Sequence, residues 1–263
     1  MARLIDLASR PTAAPVLVGL GILAVWEGLL RVVSPDGFVL PPPTEIAAAF
    51  VENFDAIWTG ATITGYVIVS GLIVGALLAV GAALLVNRFR IAHEAITPLA
   101  VAISAVPIIA LAPIFNNWFG LTSARSKQFI VILLVFFPIF INTVKGLGLA
   151  DPSKIELMRS YAATKSRITR EVRIPTALPL FFTAMKVSSS LAVIGAIVAE
   201  YFGGRQDALG PMITQAAGLT RYADAWAAVL AGTLIGTILY VATVLIENAV
   251  MPWHSSVRTT DGR

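Results

Sequence analysis

Apolar residues fall into six long runs, at about 14–33, 60–86, 98–118, 128–147, 177–200 and 226–250, separated by polar stretches. A helix needs about 20 apolar residues to cross about 30 Å of hydrocarbon. Each run meets that length. None shows the strict alternation of a membrane barrel strand. The pattern predicts an all-α polytopic membrane protein with six transmembrane helices. It has an N-terminal piece at 1–13, one transmembrane domain over 14–250 and a tail at 251–263. The first run is read as a retained helix rather than a signal peptide, because no small-residue cleavage site follows it. Glu27 and Arg31 lie four apart near its outer end and are placed to pair on one helix face.

The polar segment 148–176 breaks the rhythm of the chain. It is longer than the usual helix–helix connection. Asp151-Pro152-Ser153 is a helix-start signal, and Ser153 with Glu156 has the spacing of a capping box. Ile155, Met158 and Ala162 then fall on one face, and Pro175 and Pro179 are expected to break the helix where the fifth run begins. The residues alone leave three roles open. The segment is an interfacial helix on anionic lipid, a solvated loop, or a helix that docks in a partner's groove.

Composition narrows the class. The chain is 57% hydrophobic and 13% charged, with a mean hydropathy of +0.83. Soluble domains carry about 25% charged residues, so the composition excludes a soluble enzyme, a disordered chain and a nucleic-acid module. The net charge of +4 is therefore read as loop asymmetry. With both termini inside, the 19 basic residues divide into 13 cytoplasmic, 5 external and Lys186 within a span. Lys127 is counted among the external five. The positive-inside rule favours this orientation. Seven of the 19 lie between Lys145 and Arg173. With no cysteine, thiol and zinc–thiolate chemistry is excluded.

Polar groups within apolar spans are costly against lipid and mark pathways or interhelical bonds. The candidates are Ser104, Asn116, Asn117, Asn142, Thr143, Lys186, Ser188, Ser189, Ser190 and Glu200. Lys186 either snorkels to the cytoplasmic headgroups or faces a cavity. Glu200 is an interfacial carboxylate, an outer-gate residue or a docking residue. Gly71-x-x-x-Gly75 and Gly232-x-x-x-Gly236 read as helix-packing sites. Pro107, Pro113 and Pro138 are expected to kink the third and fourth spans.

Glu156, Ala162, Val172, Ile174 and Pro175 resemble the EAA motif of ABC-importer permeases: E-A-A, three residues, Gly, nine residues, I-x-L-P. Leu157 and Met158 stand at the Ala positions and Ala162 at the Gly position. Leu40-Pro-Pro-Pro-Thr44, Pro107 to Pro113, Phe136 to Thr143 and Gly195 to Glu200 also resemble the taurine, alkanesulfonate and nitrate branch of that family. Met158 to Ala163 and Val193 to Val198 are similar to its thiamine-pyrimidine-precursor and riboflavin permeases.

The resemblance implies a type I importer in the bacterial inner membrane. Two permease copies, a homodimer, would form the path for a small organic solute. An external binding protein would deliver the solute, and two cytoplasmic ATPases would drive its passage. The segment around 153–170 would be a coupling helix, with Glu156, Leu157, Met158, Arg159, Tyr161, Ala162, Ala163 and Pro175 at the ATPase. Glu156 would cap that helix or pair with an ATPase arginine. No G-x-x-x-x-G-K-[ST] loop is present in this chain, so ATP and Mg would belong to the partner and this chain would hold no cofactor. The rivals are a secondary transporter or channel, and a membrane enzyme. His93 and His254 stand in no H-E-x-x-H or serine–histidine arrangement.

Overall fold

A computed structural model describes residues 13–33, 39–88, 102 and 105–253. Every regular element among them is helical. The elements are α1 (Ala13–Val33), α2 (Pro43–Glu52), α3 (Phe54–Arg88) and a 3-10 turn (Ile108–Leu111) running into α4 (Ala112–Phe119). Then come α5 (Ala124–Gly148), α6 (Pro152–Ser160), α7 (Lys165–Ile168), a π turn (Thr169–Arg173), α8 (Ile174–Tyr201), α9 (Leu209–Gly218) and α10 (Tyr222–Val250).

Among the described residues, four helical stretches are long and apolar enough to cross a membrane: α3, α5, the continuous Lys165–Tyr201 stretch and α10. The 21-residue α1 would extend about 31 Å at 1.5 Å per residue. The third apolar run differs from expectation. Only Ile108–Phe119 is described as a short apolar helix, and most of the run before it, including Ser104, lies outside the described residues. Pro107 precedes the 3-10 turn and Pro113 sits in the first turn of α4, so neither kinks a helix interior. A first-turn proline costs little because its missing N–H has no partner there anyway.

The core is built around α5. Ser123 caps its start, its Oγ accepting from the Arg125 amide at 3.3 Å. Ile130, Val131, Val135 and Ile139 are fully buried, between α3 on one side and α8 on the other. Small residues set the spacing. A Cβ on Gly71 or Gly75 would come within 2.7 Å of Val131 or 2.4 Å of Val135, so α3 meets α5 at these glycines. Gly232 lies against Ile197 and Gly236 against Val193, seating α10 on α8. Both glycine pairs act in packing. A second apolar cluster closes the end where α2 and α9 lie, joining Ala49, Ile57, Leu209, Ala227, Ala228 and Ala231. Glu27 and Arg31 pair at 2.6 Å as expected.

Candidate functional site

The segment between α5 and α8 forms two short pieces, not one helix over 153–170. The expected capping box does not form. Instead Asp151 Oδ1 accepts from the Ser153 amide at 2.9 Å, with Pro152 at the first helical position. That sequence order suits an Asp cap followed by Pro. α6 ends at Ser160, and Ala162 adopts φ 55, the left-handed conformation that reverses the chain. Thr164 then caps α7, its Oγ1 accepting from the Arg167 amide at 3.3 Å. Contrary to expectation, Pro175 and Pro179 do not interrupt the fifth run, and helical structure continues from Lys165 to Tyr201. The widened π turn at Thr169–Arg173 ends two residues before Pro175 and accommodates a residue with no N–H to donate.

No residue of α6 is buried. Ile155 and Met158 are half-buried, whereas Glu156 and Arg159 are exposed. Leu157 is 57% exposed and Tyr161 77%. These two lie four apart and so project from one face. Ala162 is exposed, while Ala163 and Pro175 are half-buried. Arg173 ties the π turn to the end of α3 by donating to Asn87 Oδ1 at 2.5 Å.

At the opposite end, Glu200 is buried at 3% exposure. Its Oε2 accepts from the Gly210 amide at 2.9 Å and the Thr64 hydroxyl at 3.1 Å. Thr64 Oγ1 in turn accepts from the Leu209 amide at 3.1 Å. Ala208, the residue before α9, provides no side-chain cap. The Glu200 carboxylate from α8 fills that role, as anions favour helix N-termini. Lys127 is not in an external loop but buried at 2% exposure. Its ammonium donates to Asn116 Oδ1 at 2.9 Å and to the Leu121 carbonyl. Asn116 Nδ2 donates to the Phe202 carbonyl at 3.1 Å. Nearby, Arg205 hydrogen-bonds Asp207 at 2.7 Å, and that bond holds the Asp207 carboxyl below its usual range. Asn117 is exposed beside this cluster, in an open recess with Pro113, Gly120 and Phe202.

Between these ends, Lys186 pairs with Glu247 of α10 at 2.7 Å. It thus has a protein partner instead of a headgroup, and it borders an open recess with Thr183, Val187, Ser190, Leu191 and Tyr240. Ser189 donates to the Met185 carbonyl at 2.9 Å and lies 3.5 Å from Thr243 Oγ1. Asn142 and Thr143 return their donors to the Pro138 and Ile139 carbonyls of their own helix, at 2.8 and 2.7 Å. Ser188 is fully buried, with no hydrogen-bond partner among the described residues. The sequence reading missed Lys127, Thr64 and Glu247 as network members. The apolar neighbours of Lys127 one turn on, Ile130 and Val131, were the available signal. Among the described residues no cluster of His, Asp or Glu could hold a metal ion.

Residues 71–254 match the family described as "Binding-protein-dependent transport system inner membrane component". The chain is 33% identical to a formylaminopyrimidine transport permease of Halalkalibacterium halodurans, over 91% of this chain and 95% of that protein. It is 29% identical to a riboflavin transport system permease of Chloroflexus aurantiacus, over 89% and 88%. A putative aliphatic sulfonates transport permease of Bacillus subtilis is 28% identical, over 89% and 85%. A bundle of membrane-length helices with an exposed short helix between α5 and α8 agrees with these matches. The chain belongs to the binding-protein-dependent transport system inner membrane components, and it is a multi-pass permease subunit of an ABC importer.

Proposed function

We propose that two copies of this chain form the solute path of a type I importer, and that α6 with the turn after it takes up motion from a cytoplasmic ATPase on each copy. ATP and Mg belong to those ATPases, and an external binding protein loads the path. Both termini lie in the cytoplasm, a reading supported by the basic residues crowded between Lys145 and Arg173. The solute is a small pyrimidine or flavin-like heterocycle in preference to a sulfonate, taurine or nitrate. The relatives named for the first two solutes support this order, at 33% and 29% identity.

One observation carries the coupling assignment. An exposed helix with no buried residue presents Leu157 and Tyr161 to an open side, and its two ends are set by Asp151 and Ala162. Exposed apolar anchors four apart are the signature of a helix that seats in a groove. Co-purification of the ATPase with the double variant Leu157→Asp, Tyr161→Asp tests it. The expected result is loss of the complex and of ATP-driven uptake, with the permease still in the membrane. Normal assembly and uptake would overturn the assignment. Uptake that persists after ATP depletion would instead favour a secondary transporter.

A further inference from the structure

The outward surfaces of the long helices differ in chemistry. α10 exposes Leu234, Ile238, Val241 and Leu245 along one stripe, with Thr233, Thr237 and Tyr240 exposed beside it, and α3 exposes Ile73, Leu77, Leu78 and Leu85. Such faces suit lipid. α8 exposes Thr183, Val187, Ser190 and Ile194 at positions i, i+4, i+7 and i+11, a single stripe with two hydroxyls. Alongside the stripe lies the recess to which Lys186 and the half-exposed Tyr240 contribute. Thr183 returns its hydroxyl to the Pro179 carbonyl at 2.9 Å, as Thr233 and Thr237 of α10 do within their own helix, so it is the exposed Ser190 and the Lys186 ammonium, costly against hydrocarbon, that suit this wall to water or solute.

The charge of that wall is compensated. Lys186 is the one charged residue among those lining the recess. Its ammonium sits 2.7 Å from the buried Glu247 carboxylate, whose side chain is 9% exposed. The wall therefore offers hydroxyls, an aromatic face and a neutral ion pair, and no free cation. An organic anion entering here would shed water without gaining an unpaired positive partner. An uncharged ring with donors and acceptors would meet matching groups in Thr183, Ser190 and Tyr240.

We propose that the recess between α8 and α10 is a recognition station on the solute path, and that its Lys186–Glu247 pair suits it to an uncharged, hydrogen-bonding heterocycle rather than an organic anion. This rests on the importer reading above and narrows its solute class.

The chain has no cysteine, so Ser190→Cys places a single thiol in the recess. The experiment uses the permease with its ATPase in vesicles. Two methanethiosulfonates of similar size are compared, the cationic ethyltrimethylammonium and the anionic ethylsulfonate, each corrected for its rate with a free thiol. The thiol is expected to react with both, at rates within about threefold of each other, since a compensated pair leaves little net field. Adding Glu247→Gln frees the ammonium, and the anionic reagent should then gain at least about tenfold over the cationic one. Leu245→Cys, on the lipid-suited face, should react with neither.

A Ser190→Cys thiol inert to both reagents, with and without ATP, in a complex that still hydrolyses ATP would overturn the station and leave the importer reading intact. An anion preference above tenfold with Glu247 in place would overturn the solute class. If Ser190→Cys does not assemble, Thr183→Cys on the same wall is read by the same criteria. Failure of the unaltered permease to bind any ATPase would instead be a failure of the importer reading.

Discussion

Ala162 is a residue whose backbone conformation explains a sequence departure. It stands where the EAA motif has Gly, and it adopts φ 55. A non-glycine residue pays about 1–2 kcal/mol for the left-handed region, partly offset by the smaller unfolded-state entropy of Ala. Ala162→Gly should therefore stabilise the permease by about 1 kcal/mol. Ala162→Val, β-branched, should lower stability and uncouple uptake from ATP hydrolysis. Thermal inactivation midpoints of the detergent-solubilised protein, with ATPase and uptake rates side by side, check both. That a glycine position is filled by alanine is visible in the sequence. That the position reverses the chain between α6 and α7 is not, because the surrounding Ser-Tyr-Ala-Ala-Thr stretch has no Gly, Pro, Asn or Asp.

At the scale of elements, two short helices borrow their caps from longer ones. Neither α2 nor α9 has a side-chain cap at its own N-cap residue. Glu27 of α1 accepts from the Thr44 amide at 3.1 Å, and Glu200 of α8 accepts from the Gly210 amide at 2.9 Å. From sequence Glu27 reads only as a partner of Arg31 and Glu200 only as a residue near a span end, because both are local information. The amides they cap lie 17 and 10 residues away, on helices too short and too weakly patterned to be expected. The Glu200 network is buried, so its loss should be costly. Glu200→Ala leaves the Gly210 amide and Thr64 without their acceptor and should destabilise by about 2–4 kcal/mol. Glu200→Gln retains an accepting oxygen and should cost less. Combining Glu200→Gln with Thr64→Val should give non-additive losses, since the two side chains share one bond. Additive losses in a double-mutant cycle of inactivation midpoints would separate Thr64 from the cap.

For the whole molecule, the apolar runs made the membrane class and most spans legible, since hydropathy is a property of each run by itself. Pairings between runs were not legible. Lys186 and Glu247 are 61 residues apart, and only the packing of α10 on α8 brings them together. The same packing logic bears on how force reaches the bundle. α6 and α7 hang between the end of α5 and the start of α8, and at their root Gly146 approaches Ala177 closely. A Cβ on Gly146 would sit 2.7 Å from the Ala177 Cα, a backbone atom that no rotamer change can move aside. The two supports of the proposed coupling segment are thus in close contact, so on that proposal a displacement of α6 would be delivered to α5 and α8 together. Interfaces packed this tightly switch between discrete arrangements instead of deforming smoothly. Gly146→Val should wedge these supports apart while leaving Leu157 and Tyr161 free to seat. The expected outcome is a complex that still binds its ATPase and hydrolyses ATP, with solute uptake per ATP reduced by about tenfold or more. Gly146→Ala should fall between it and the unaltered chain. Equal uptake per ATP in all three would mean that α5 and α8 need not move as one body.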